Sequence, residues 1–349
     1  MTDTPQGVDL DRLRPWFADH VEGATGSPLT ASLISGGRSN LTYAVSDGAH
    51  EWVLRRPPLG HVLPTAHDMG REYKVLAALA PTAVPVPRAL AFCDDSDVNG
   101  APFYVMDLVD GQILRTPTDM AALSKEDAGR CSEALVDVLV EIHAVDFDAV
   151  GLSDFGHPDG YVERQVRRWG EQWERSKTRE LPQIDELARR LRNALPESPA
   201  PTIVHGDYRL DNTMLAPDDP GTIVAVLDWE MATLGDPLAD VGLFLLYWAR
   251  DEAATQGVGA TIDARAGFLS RDELVDRYAR RSGRDVSQLA FYEALAAYKL
   301  AVILEGIHAR YLMGKTLGDG FEHIGGMVEI MVVRALDDAS RSSIPALRG

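Results

Sequence analysis

The sequence predicts an α+β protein built in two parts, strand-rich at the front and helical behind. Three observations predict it. Short apolar-alternating runs at 29–35, 41–45 and 51–56 lie early in the 349-residue chain and read as strands. Stretches with apolar residues at threes and fours, at 124–144, 159–179 and 286–313, follow and read as helices. Between the helices stand two β-branched runs, 201–204 and 222–227, each ending in a polar cluster.

The first cluster is His205-Gly206-Asp207, with Asn212 five positions beyond Asp207; the second is Asp228-Trp229-Glu230. The segment 215–221 between them, rich in Pro, Asp and Gly, has turn chemistry. Asp207, Asn212 and Asp228 are therefore expected to converge at one end of a small sheet. Two carboxylates and an amide make an all-oxygen set, which suits Mg²⁺ beside bound phosphates. Asp207 also suits a second use, orienting a substrate hydroxyl and accepting its proton during phosphoryl transfer.

The pattern HGDxxxxN followed by LDWExxxxGDPxxDVG, running from His205 to Gly242, resembles the catalytic core of the aminoglycoside phosphotransferase-like family, small-molecule kinases that share the protein-kinase fold. It is most similar to the branch related to the kinase-like domain attached to some acyl-CoA dehydrogenases. The resemblance implies a two-lobed kinase-like fold with a nucleotide-binding lobe over 1–106 and a catalytic and substrate-binding lobe over 107–349. It further implies Asp207 as the catalytic aspartate and Asn212 and Asp228 as metal ligands, with ATP as phosphoryl donor, GTP left open.

Taken in order, residues 11–20 form a short amphipathic helix burying Leu13, Trp16 and Phe17. The strand ending at Ser35, the loop Gly36-Gly37-Arg38-Ser39-Asn40 and the strand from Leu41 read as strand, tight loop, strand. Glycines let backbone approach a ligand, and small polar residues add donors for phosphate. By resemblance this is the nucleotide-covering loop, with Ser35, Gly36, Gly37, Ser39 and Asn40 in contact with ATP. The family usually places a lysine on the next strand, paired with a glutamate on the following helix; here Val53-Leu54-Arg55 stands instead. Alternation puts Arg55 on the face of Val53 and Arg56 on the other. Arginine keeps the charge but is not interchangeable with lysine. The expected partner is Glu72, in a helix over 69–79. Residues 57–68 carry His61 and His67 and read equally as a flap over the nucleotide or a surface connection. The run 102–109 marks the lobe boundary, where backbone groups near Met106 to Leu108 would read the adenine edge.

In the second part, Ser124 with Asp127 offers a weakened capping box for the first long helix. His143 near its end reads as packing. Trp169 and Trp173, on an aromatic stripe at spacings of about four, line either the substrate pocket or the interior. His205 is either a general base or, as the resemblance implies, a support for the catalytic loop. Arg209 either neutralises charge near the transferring phosphate or pairs with Asp211. Asp240 is expected to hold loop N–H groups and Asp236 to cap the next helix. The stretch 241–249 is an apolar core helix, 251–269 is irregular, and helices follow from Ser270 and over 286–313 and 321–336. His308, Arg310 and Lys315 are candidates for substrate or surface contacts, the surface reading being the better one. The tail from Asp338 is expected to be loosely held.

The formal net charge of −19 argues against nonspecific nucleic-acid binding and against an anionic membrane surface. No apolar run approaches the length of a membrane span. Two cysteines, Cys93 and Cys131, make neither a disulfide framework nor a zinc site. A reducing cytoplasm is the simplest location. The expected partner is a small molecule bearing a hydroxyl, with monomer and homodimer both open. The resemblance of Tyr208-Arg209-Leu210-Asp211-Asn212 and Asp228-Trp229-Glu230 to that acyl-CoA dehydrogenase-related branch implies a metabolic hydroxylated substrate, a hydroxy acid or its acyl-CoA ester. An aminoglycoside and a catalytically silent nucleotide-binding or partner-binding module stand as alternatives.

Overall fold

The computed structural model describes residues 5–35, 40–59, 67–248, 262, 266–316 and 320–349. The front of the chain runs α1 (Leu10–His20), β1 (Thr30–Ser35), β2 (Leu41–Ser46), β3 (Glu51–Arg56), α2 (Met69–Leu79), β4 (Ala89–Cys93), the short α3 (Ser96–Asn99) and β5 (Phe103–Asp107). The strands make one antiparallel sheet in the order β1-β2-β3-β5-β4. Strand alternation divides the side chains between two cores. On one face Leu54, Tyr43 and Val105 bury against Leu13 and Phe17 of α1. On the other, Val53, Tyr104 and Met106 join α2 and the core of the helical part. The same alternation sends Arg56 to the α1 side, where it donates to the Gly7 and Asn99 carbonyls. Arg55 turns to the opposite side.

The helical part continues with α4 (Pro117–Ala121), α5 (Lys125–Ala144), α6 (Tyr161–Ser176) and α7 (Pro182–Asn193). Ser124 caps α5 by accepting from the Asp127 N–H at 3.1 Å. The Asp127 carboxylate answers the Ser124 hydroxyl and not its backbone N–H, because its side chain is one carbon shorter than glutamate. Then come β6 (Thr202–Val204), β7 (Thr213–Ala216), β8 (Asp219–Val226), β9 (Thr233–Gly235), α8 (Pro237–Tyr247), α9 (Arg271–Ser282), α10 (Leu289–Leu312), α11 (Ile324–Ser340) and α12 (Pro345–Arg348). A strand-rich lobe followed by a mostly helical lobe is the two-lobed kinase-like α+β architecture that the sequence predicts.

Two expectations need correction. The runs before and after the central turn do not share a small sheet. β6 pairs with β9, and β7 pairs with β8 in a separate hairpin. The strands β7 and β9 are only four and three residues long, too short to show a period. The tail is also not loose. Leu347 in α12 is fully buried and Ile344 nearly so, and Arg190 of α7 donates to the Leu347 carbonyl. Ile344 and Leu347, three apart, supply one apolar face, and that suffices to dock the terminal turn. Replacing Leu347 with Ala should therefore destabilise the protein by about 2–5 kcal/mol, read from denaturant midpoints at constant slope.

Both cysteines are buried and free. Among the described residues, no helix is long and apolar enough to cross a membrane.

Candidate active site

Between the lobes lies a cavity of about 340 Å³. Val53, Leu76, Met106 and Val226 line it with apolar surface; Arg55, Arg209, Asn212 and Asp228 line it with polar groups. Met106 is buried and Leu108 half exposed, and both border it where β5 leads into the helical lobe.

The basic group of β3 is held from two sides. Arg55 donates from Nε to Glu72 at 2.8 Å and from Nη2 to Asp228 at 2.5 Å. Glu72, in the first turn of α2 and 1 % exposed, also accepts from Asn40 at 2.6 Å and from the Tyr104 hydroxyl at 3.0 Å. Burial pushes the Glu72 carboxyl up, against the pull of the Arg55 guanidinium. Burial likewise works against the Arg55 charge, but the surrounding acids, Glu72 foremost, outweigh it and raise its pKa. The arginine thus stands where a cation is wanted and stays charged.

Asn40 closes the described side of the loop after β1. Its amide nitrogen is committed to Glu72, while its Oδ1 is buried without a partner among the described residues. Ser35 ends β1. Gly36, Gly37 and Ser39, expected to cover the nucleotide, lie outside the described residues, as does most of the 57–68 segment.

The loop that carries His205 and Asp207 follows β6. Asp240, in the first turn of α8, accepts from the N–H groups of His205 at 2.6 Å and Gly206 at 2.8 Å. It also stands 3.4 Å from His143 Nε2, whose other ring nitrogen meets Tyr278 at 2.8 Å. Burial opposes the Asp240 charge, yet the His143 and backbone bonds hold its carboxyl below the usual range. His205 is spent on structure: Nε2 meets the Leu227 carbonyl at 2.9 Å, and Nδ1 accepts from the Asp207 N–H at 3.2 Å. One imidazole therefore ties the Asp207 loop to the strand that carries Asp228. Asp236 caps α8 through the Leu238 N–H.

Asp207 emerges from this frame partly exposed. Asn212 Nδ2 donates to its carbonyl at 2.9 Å and its carboxylate at 3.1 Å. Burial raises the Asp207 pKa, moderated by Arg209, His205 and Lys299. Of the two uses expected of Arg209, the pairing with Asp211 is seen: its Nε lies 3.1 Å from Asp211 and 3.5 Å from Asp207. Its guanidinium also stacks over Tyr247, 4.9 Å from the ring centre.

Asp228 follows β8 with φ +65, a left-handed backbone uncommon for a residue with a side chain. That conformation aims its carboxylate at the cavity and stores strain of the kind found at functional sites. Two residues on, burial and then the Asp228 charge push Glu230 up to about 7. Glu230 lies 3.4 Å from Asn40 and 3.7 Å from His67.

The donor set fits a hard cation. Because Asn212 uses its amide nitrogen on Asp207, its amide oxygen is turned away from that carboxylate, and Asp228 adds a carboxylate. Among the described residues, no group of three or more His, Cys, Asp or Glu forms a metal centre. One amide and one carboxylate suit Mg²⁺, which keeps waters and phosphate oxygens in its shell.

Residues 30–292 match the model of the phosphotransferase enzyme family. The chain belongs to this family. A relative from Rattus norvegicus, named acyl-CoA dehydrogenase family member 11, is 35 % identical over 313 residues, covering 88 % of this chain and 40 % of its own. Acyl-CoA dehydrogenase family member 10 of Mus musculus is 34 % identical over 337 residues, 96 % of this chain and 31 % of its own. The chain therefore spans well under half the length of these curated relatives. A provisionally named aminoglycoside phosphotransferase from Ralstonia eutropha JMP134 superposes with a TM-score of 0.81 at 33 % identity, covering 95 % of this chain and 99 % of the other. Membership and fold together support a small-molecule phosphotransferase.

Within the phosphotransferase frame, the structure gathers Arg55, Glu72, Asp207, Arg209, Asn212 and Asp228 around one cleft. Glu230, named only as the end of the second polar cluster, joins them, and Tyr104, Tyr247 and Lys299 pack beside them without having been anticipated. Lys299 carried a signal, a lone cation within the apolar stretch that became α10. The others had none: a tyrosine in a strand and one at a helix end are ordinary core residues. Trp169 and Trp173 are both buried; His308, Arg310 and Lys315 stay away from the cleft.

Proposed function

We propose that this protein is a Mg²⁺-dependent kinase that moves the γ-phosphoryl group of ATP to a hydroxyl of a small molecule. The observation that carries the proposal is that Arg55, held between Glu72 and Asp228, lines the same cavity as Asn212, which donates to Asp207. One nucleotide can reach both. The apolar wall suits the base, and Arg55 suits the phosphates. Residues 1–106 would form the nucleotide lobe and 107–349 the catalytic and acceptor lobe.

Asn212 and Asp228 would hold the metal, which when bound neutralises charge on the phosphate oxygens. Asp207 orients the acceptor hydroxyl and takes its proton as that oxygen bonds to the γ-phosphorus. The bond from the γ-phosphorus to its bridging oxygen breaks and ADP leaves. Arg209, beside Asp207, offsets negative charge at the transferring group. The work is positioning and electrostatics, with no covalent enzyme intermediate.

For the acceptor, a hydroxy acid or hydroxyacyl-CoA fits better than an aminoglycoside. Cations flank Asp207: Arg209 and, through its field, Lys299. Beyond Tyr247 a second cavity, about 280 Å³, is lined by Leu246, Ala294, Leu300 and Met331. Arg334 at its wall makes no ion pair among the described residues. Arg271 and Arg341 stand at the same wall beside Glu293 and Asp338, and with Arg334 the cations there outnumber the acids, which suits an apolar chain with an anionic end. The names of the curated relatives point toward acyl chemistry as well. A panel of hydroxy acids, their CoA esters and aminoglycosides, assayed with γ-labelled ATP, tests the choice. At least about tenfold higher kcat/KM is expected for the anionic acceptors, a difference of about 1.4 kcal/mol. Preference for the aminoglycosides would reverse the assignment, and nucleotide binding without transfer to any acceptor would favour a silent module.

A further inference from the structure

The middle of α10 carries a lysine where its neighbours are core. Leu295, Ala296, Tyr298, Leu300 and Val302 are all buried, and Lys299 between them is half-buried and reaches toward the loop before Asp207. Its ammonium donates to the Gly206 carbonyl at 2.9 Å and lies 5.8 Å from the Trp169 ring centre. No carboxylate of the described residues comes within ion-pair distance of it. Burial lowers its pKa, with the charges of Asp207 and Asp240 opposing. Leucine at this position would fill the space without desolvating a charge. The cation is therefore an expensive choice for packing alone.

Its one hydrogen-bond partner among the described residues, Gly206, shows what it does. Gly206 has φ +82, and a Cβ there would come within 2.7 Å of the Met231 carbonyl oxygen. This backbone conformation, open only to glycine here, turns the Gly206 carbonyl toward α10. The two preceding N–H groups face the other way, into Asp240. The backbone leading into Asp207 is thus pinned from α8 through the His205 and Gly206 N–H groups and from α10 through the Gly206 carbonyl. Tyr161, Gln165 and Trp169 of α6 and Tyr292 of α10 wall the small space around the ammonium.

We infer that Lys299 is a positioning residue for phosphoryl transfer, holding the Gly206 carbonyl so that the Asp207 carboxylate faces the cleft at a fixed angle. This rests on the reading of Asp207 as the proton acceptor. Lys299 acts through the loop, and the nucleotide side of the cleft does not depend on it.

The test compares the parent with Lys299→Met and Lys299→Arg. Mg²⁺-ATP turnover, with water as acceptor or with any acceptor found in the panel, is measured alongside amide hydrogen exchange of segment 203–209. Lys299→Met, which keeps length and apolar bulk, should lower kcat by about 10²-fold with KM for ATP unchanged. Exchange in 203–209 should quicken while Tm holds, and Lys299→Arg should restore part of both. Unchanged exchange in Lys299→Met overturns the inference whether or not the protein turns over ATP. Unchanged kcat in an active parent overturns it too, as does an equal loss of kcat and of nucleotide affinity, which a general structural role would give. A parent that transfers phosphate nowhere is a different failure: it removes the kinase reading itself, and the catalytic meaning of Lys299 with it.

Discussion

Asp207→Ala is expected to lower phosphoryl transfer by about 10²–10⁴-fold, the range for removing a positioned proton acceptor. Nucleotide affinity should change little, because Arg55, Asn212 and Asp228 keep their places. Fold should survive as well. Burial already disfavours the Asp207 charge, so its loss removes a desolvated carboxylate along with its bonds to Asn212 and Arg209. The loop itself is held through backbone groups, by Asp240, His205 and Lys299. Steady-state kinetics and a thermal melt read all three expectations together. Turnover equal to the parent would remove Asp207 from the reaction.

The second large effect is expected at Asp228. Asn is the sharper replacement here because it tolerates the left-handed backbone that Asp228 adopts. Asp228→Asn therefore takes away charge without adding strain. Two consequences oppose each other: Arg55 loses one of its two acids, and the metal loses its carboxylate. Glu72 still holds Arg55 at 2.8 Å, so a cation remains for the phosphates while Mg²⁺ loses its anchor. Titrating nucleotide with and without Mg²⁺ separates these. The parent should bind at least about tenfold more tightly with Mg²⁺, close to 1.4 kcal/mol, and the variant should show no such gain. A Mg²⁺ gain that persists undiminished in Asp228→Asn would place the metal elsewhere.

Much of this was legible in the residues, and what was not has physical reasons. Strand alternation alone chose Arg55 over Arg56, and the structure sends the two to opposite faces. The motif order from His205 to Asp240 marked the groups that the fold brings to one cleft, including the Asp240 hold on the loop N–H groups. Pairing of the strands was not legible. β6 finds β9 across thirty residues, and a three-residue strand carries too little pattern to announce a partner. The docked tail escaped because two apolar residues in a polar terminus are weak evidence until the surface they meet is known. Lys299 and Tyr247 escaped for a related reason. Each belongs to a helix whose periodicity speaks only for burial, and their nearness to Asp207 is created by the packing of α10 and α8 around the catalytic loop. Local pattern reports faces; convergence of distant faces is a property of the tertiary fold.

Mass spectrometry of a metabolite extract incubated with the protein and Mg²⁺-ATP, with Asp207→Ala in parallel, tests the central claim most directly. The extract is supplemented with hydroxy acids, their CoA esters and aminoglycosides. The account predicts a new phosphoester, formed with matching ADP by the parent and absent from the variant. The same phosphoester formed at the same rate by Asp207→Ala, or ATP consumed by the parent with phosphate released and no phosphorylated acceptor, would contradict it.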